Sequence, residues 1–172
     1  MRLPTLHQFF RHQLEQGFQA RGLGKSEAVD YVSDVLTRFA QTRALYSLRD
    51  DEGRPLEHIV DMLTACQQAQ EAGSRAAVES SIVRHIGDYT LFMTGLFRER
   101  VEARGELDYY TAHGRTAFWR SADFEINPNR RRLYRQLYQD FEPISDILDY
   151  LRRVQFPLQA RSENLLAAFW RA

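Results

Sequence analysis

Apolar residues recur along this chain at spacings of three and four, the period of a helix with one buried face. Leu6, Phe9, Phe10, Leu14 and Phe18 mark a first helix over Thr5–Ala20, entered just after Pro4. After the loop RGLGKS, Ser26 is placed to cap a second helix through Val29, Val32, Val35, Leu36 and Phe39. That helix can run on toward Leu45 or Leu48, before the polar DDEGR of residues 50–54. Pro55 suits the first turn of a third helix through Ile59, Val60, Met62, Leu63 and Cys66, with Gly73 as its stop.

The pattern then changes. From Ser80 to Phe97 the chain reads SSIVRHIGDYTLFMTGLF, apolar on nearly every side, as expected of a helix surrounded by others. Ser80, Gly87 and Thr94 stand seven apart, nearly in line along its axis, so neighbouring backbones can come close. This central helix is expected over about residues 74–104, where Gly105 breaks it. A fifth helix follows over Glu106–Ser121, and DFEINPN is a loop because Asn127 precedes Pro128. Helices over Arg130–Phe141, Ile144–Val154 and Ser162–Trp170 complete the reading, with Pro143 kinking or restarting the chain. No stretch alternates at period two for long enough to make a strand. The expected fold is all-α, a single domain over residues 1–172 with about six to eight helices bundled around the central one.

Charge narrows the partners. Lysine and arginine number 23, aspartate and glutamate also 23, so no basic field draws the chain to nucleic acid. Almost all the basic residues are arginine, Lys25 being the only lysine, a skew that a codon bias of the source genome explains. Cys66 is the only cysteine, which rules out an intramolecular disulfide and a cysteine-based zinc site and fits a reducing compartment. The N-terminus lacks the apolar run of a signal peptide. The longest uncharged stretch of the central helix, Tyr89–Phe97, falls short of the about 20 residues a bilayer requires. A soluble cytoplasmic protein with no membrane partner is therefore expected.

Three groups of residues invite chemistry. His58–Asp61 and His85–Asp88 each set an imidazole and a carboxylate on one helix face, and four such groups together suit a metal. The blander alternative leaves His58 and Asp61 in solvent, with His85 and Asp88 bonded to Arg84 or a nearby tyrosine. His-x-x-Asp is far less specific than a four-ligand signature, so no metal or other cofactor is expected.

The second group is Tyr109, Tyr110, His113 and Arg115 around Gly114, a mid-helix glycine that suggests close contact with Gly87 or Gly95. Such a contact brings His85, Asp88, Tyr110, His113 and Arg115 together as a candidate ligand-binding wall, or else as a hydrogen-bonded packing knot. The third is Arg130, Arg131, Arg132 and Arg135 interleaved with Tyr134 and Tyr138, where arginines beside aromatics can hold phosphates and stack bases. Asp140 and Glu142 follow closely on a neutral chain, so a solvated face is the simpler reading and nucleic acid is not the expected partner. Cys66 falls on an apolar stripe, and Trp119 and Trp170 are expected in core or interface positions. No glycine-rich phosphate loop, nucleophile elbow or zinc-protease motif is present.

The run His85-x-Gly87-Asp88-x-x-Leu91-Phe92-x-x-Gly95-x-Phe97, followed by Tyr109-Tyr110-x-x-x-Gly114-Arg115, resembles a pattern in uncharacterised helical bacterial proteins. The resemblance implies a bacterial all-α domain and carries no activity. The leading expectation is a helical protein that acts by binding a protein partner or a second copy of itself. The alternative is a small-molecule- or metal-binding bundle, possibly an enzyme, built on His85, Asp88 and His113. A nucleic-acid accessory role through the Arg130 cluster ranks third.

Overall fold

The computed structural model describes residues 5–24, 26–40, 58–73 and 75–155, and among them every regular element is helical. Eight α-helices follow in order: α1 Leu6–Ala20, α2 Ser26–Phe39, α3 Ile59–Glu71, α4 Ala76–Leu96, α5 Arg98–Ala103, α6 Leu107–Phe124, α7 Pro128–Gln139 and α8 Phe141–Tyr150. A π-helical turn over Leu151–Gln155 ends the described chain. The all-α expectation holds. The expected extension of α2, the Pro55 start of the third helix, and the helix over Ser162–Trp170 lie outside the described residues.

Local chemistry explains most of the boundaries. Thr5 caps α1 reciprocally: its hydroxyl accepts from the Gln8 N–H at 3.2 Å, while Gln8 Oε1 accepts from the Thr5 N–H at 2.9 Å. Gly73 and Gly105 stop α3 and α5 with φ of +65° and +67°, a region open to glycine. Asn127 caps α7 with Pro128 in the first turn, where a missing N–H leaves nothing unsatisfied.

Several boundaries differ from expectation: α6 runs on to Phe124, into the expected loop, α7 starts at Pro128 rather than Arg130, and two others change the packing. The central helix ends at Leu96 rather than near residue 104, because Phe97 leaves helical geometry (φ −123°, ψ 33°). The bend turns Arg98 back to donate to the Thr94 carbonyl at 2.9 Å and across to the Ser145 hydroxyl of α8 at 2.9 Å. Tertiary bonding therefore overrides a stretch with no local breaker. Farther on, α7 stops at Gln139 and α8 begins at Phe141, which puts Pro143 in a first turn instead of a helix interior.

Helix α4 is the axis. It packs most extensively on α6, then on α8 and α3, while α1 and α2 pair with each other and lean on α8, α7 and α4. Every residue of α4 from Ile82 to Leu96 is buried except Arg84. Glycines set how closely its neighbours approach, though not all where expected. A methyl group on Gly87 would lie 2.8 Å from the Phe118 ring of α6. One on Gly114 of α6 would run into Thr90 of α4 and come within 2.6 Å of Phe141. Gly95, in contrast, faces Leu148 of α8 at 2.5 Å and takes no part in the α4–α6 contact, because its turn of the helix points at a different neighbour.

Candidate functional site

Asp88 is the most buried charge-bearing group on α4, 1% exposed, and its partners come from α2. The Tyr31 hydroxyl donates to Oδ1 at 2.5 Å and Arg38 Nη2 donates to Oδ2 at 3.1 Å. Burial pushes the Asp88 carboxyl up, and the Tyr31 hydrogen bond and the Arg38 charge act against that push. Tyr31 is raised well above an ordinary phenol, first by burial and then by the carboxylate it faces. One turn back, Arg84 hydrogen-bonds to Tyr134, whose hydroxyl also accepts from Arg130 at 3.1 Å. Five helix-borne groups, Tyr31, Arg38, Arg84, Asp88 and Tyr134, thus tie α2 to α4 and α7 through a polar centre whose carboxylate is buried and whose two guanidiniums reach solvent.

His85 belongs to a neighbouring set of rings. It stacks on Tyr89 at 6.0 Å and meets the edge of Phe39 at 5.8 Å. Tyr89 continues to Tyr110 of α6, to which it is hydrogen-bonded. Burial, helped by the Arg38 charge, lowers the His85 imidazole to about 4, so the ring is neutral near pH 7.

The expected wall of His85, Asp88, Tyr110, His113 and Arg115 is therefore divided. His85 and Tyr110 are joined through Tyr89, whereas Asp88 turns to α2. His113 sits at the half-exposed outer side of α6 against Tyr109, ring centroids 4.3 Å apart, and burial lowers its pKa. Arg115 leaves the centre altogether and donates to the Tyr138 carbonyl at 3.3 Å. The helix turn that brings Gly114 against α4 necessarily swings its neighbours His113 and Arg115 about 100° to either side. The quartet His58, Asp61, His85 and Asp88 does not converge either. His58 and Asp61 are exposed at the start of α3, and among the described residues no three His, Cys, Asp or Glu side chains are grouped to hold a metal ion.

Outside the core, α6 and α7 present a different arrangement. The Arg115 guanidinium lies 4.8 Å from the centre of the Tyr138 ring, Tyr138 meets Trp119 at 5.0 Å, and Arg135 covers Trp119 at 4.5 Å. The result is a ladder of arginine, tyrosine, tryptophan and arginine across two helices. Trp119, expected in a core or interface, is 41% exposed, because its neighbour Phe118 takes the inward position. Among the described residues the carboxylates nearest the ladder's arginines are Glu142 and Asp123, each 3.9 Å away. Tyr109, also exposed, lies on the same α6 at the Arg115 end.

The Arg130 cluster is mostly engaged at home. Arg130 pairs with Glu125 at 3.4 Å and Arg131 Nη2 donates to the Glu125 carbonyl at 2.8 Å, which folds both back on the α6–α7 loop. Sequence reasoning grouped Arg135 and Tyr138 but missed Trp119 and Arg115 as their partners, and missed Tyr31 and Arg38 altogether. Arg115 with Trp119 at i, i+4, and Arg135 with Tyr138 at i, i+3, were the available local signals. Cys66 is buried as expected, near Arg120.

A cavity of about 410 Å³ lies between α1 and α8, away from all these groups, with Gly17, Ile147 and Leu151 in its walls. No family model, curated protein or solved structure matches the chain.

Proposed function

We propose that this protein works by binding a protein partner through the outer faces of α6 and α7. The single observation that carries the reading is the ladder Arg115–Tyr138–Trp119–Arg135, with Trp119 exposed and the other three half-buried. Tryptophan, tyrosine and arginine dominate binding energy at protein interfaces. Here they are held rigid by one another, so little side-chain entropy remains to be lost on association. The polar centre around Asp88 supports the same view from the opposite side. Its carboxylate is closed over by Tyr31 and Arg38, an arrangement suited to joining helices rather than to meeting a substrate. A cytoplasmic setting fits the single buried cysteine, and no helix among the described residues is long and apolar enough to cross a membrane.

The test starts by placing a photo-cross-linking residue at Thr116, beside the ladder, and at Glu102 as a control. A partner captured at Thr116 alone is then purified and titrated. Trp119→Ala is expected to weaken that binding about tenfold or more while lowering the melting temperature by only a few degrees, since the side chain lies outside the core and is 41% exposed. A partner whose affinity ignores Trp119→Ala would remove the ladder from the interface. Concentration-dependent dimerisation abolished by the same substitution would make the partner a second copy of the chain.

A further inference from the structure

The ladder continues into an open cleft of about 750 Å³ between residues 22–24, which join α1 to α2, and the flank of α7. Arg132, Arg135, Gln136 and Asp140 line the α7 side. Four arginines stand within six positions of α7, and their engagements differ. Arg130 and Arg131 are bound to Glu125, and Arg135 lies over the Trp119 ring. Arg132 is exposed and has no hydrogen bond or ion pair among the described residues. Gly22 and Gly24 have nothing within 4 Å of where a side chain would begin, so the loop wall of the cleft is low and the guanidiniums are reachable from solvent. Asp140 is the one carboxylate among the described residues of the cleft and sits at the far, C-terminal end of α7, two turns from Arg132. The positive end of the cleft is thus the end formed by Arg132 and Arg135, and Arg135 is shared with the ladder.

We infer that this cleft receives carboxylate side chains of the partner, so that the surface selects an acidic protein segment whose apolar residues lie on Trp119 and Tyr138. The inference rests on the binding role proposed for the ladder and adds the chemistry of the partner. A guanidinium donates two parallel hydrogen bonds to a carboxylate, and a charge-assisted contact of that kind discriminates against an uncharged segment. Arg132 serves as the anchor because no carboxylate among the described residues competes for it. Arg135 contributes from its seat on the indole, where its distant contact with Asp123 leaves hydrogen-bonding capacity.

Fluorescence anisotropy with a labelled peptide of alternating glutamate and leucine tests the idea on the full chain. The peptide should bind, with affinity falling as salt rises. Its glutamine–leucine counterpart should bind about tenfold more weakly, and Arg132→Gln should cost about the same factor for the acidic peptide alone. Arg132→Lys should recover part of the loss. If Trp119→Ala weakens binding but Arg132→Gln and the glutamine peptide change nothing, the acidic selection is wrong and the ladder interface stands. If Arg132→Gln acts as expected and Trp119→Ala does not, the cleft binds carboxylates without the ladder. Failure of the acidic peptide to bind, or stronger binding of labelled oligothymidylate, overturns the inference.

Discussion

At the scale of single residues, the consequential group in the core is His85. Its imidazole is 8% exposed and its pKa is lowered from 6.5 to about 4, so the unfolded chain takes up a proton at pH values where the native protein does not. The sign follows directly. Stability contributed by the neutral ring is fully present above about pH 6.5 and is lost progressively as pH falls toward 4. The full swing amounts to about 3 kcal/mol. Asp88 works the other way, since a raised carboxyl pKa makes its charge a burden that protonation relieves. Urea unfolding at pH 7.5 and 4.5 should show the wild type losing stability on acidification. His85→Leu should lose less, and an identical pH slope in the variant would show that His85 is not the group that titrates.

Among elements, the α4–α6 contact depends on the absence of a side chain at Gly114. Alanine there would ordinarily strengthen a helix by about 1 kcal/mol. In this contact its methyl group would meet Thr90 and the Phe141 ring, and overpacking of that kind costs about 1–3 kcal/mol. Gly114→Ala should therefore lower the melting temperature, and Gly114→Leu should lower it further. A raised melting temperature in either variant would mean that α4 and α6 are farther apart than the structure places them. The junction of α4 with α8 adds hydrogen bonding to its own close approach at Gly95, with Arg98 held by Thr94 and Ser145 and ion-paired to Asp146 at 2.9 Å.

Over the whole molecule, protection should radiate from α4. Its residues 82–96 are shielded by α6, α8 and α3, whereas α7 carries a largely solvated arginine face. Native-state hydrogen exchange read by mass spectrometry should find the slowest amides in residues 82–96, opening only with global unfolding. Slower exchange in α1 or α7 would show that the bundle is not organised around α4. The neutral net charge gives no long-range pull toward polyanions, and the proposed selection of an acidic partner therefore rests on local groups, Arg132 and Arg135.

The helical class, most of the helices among the described residues and the identity of the central one were legible in the chain, because helix period, caps and positive-φ glycines act over a few residues. Thr5, Gly73, Gly105 and Asn127 mark ends that local chemistry dictates. The burial of Asp88 beside a tyrosine was also foreseeable from the apolar run that surrounds it. Which tyrosine it would be was settled by packing: Tyr31 stands 57 positions away on α2, and no spacing rule reaches that far. The same holds for Gly95, whose partner Leu148 belongs to α8, and for the break at Phe97, which Ser145 and Asp146 draw Arg98 to make. Trp119 went outward and Phe118 inward because adjacent residues on a helix differ by about 100°, and which of them faces the core is settled by the helix it meets.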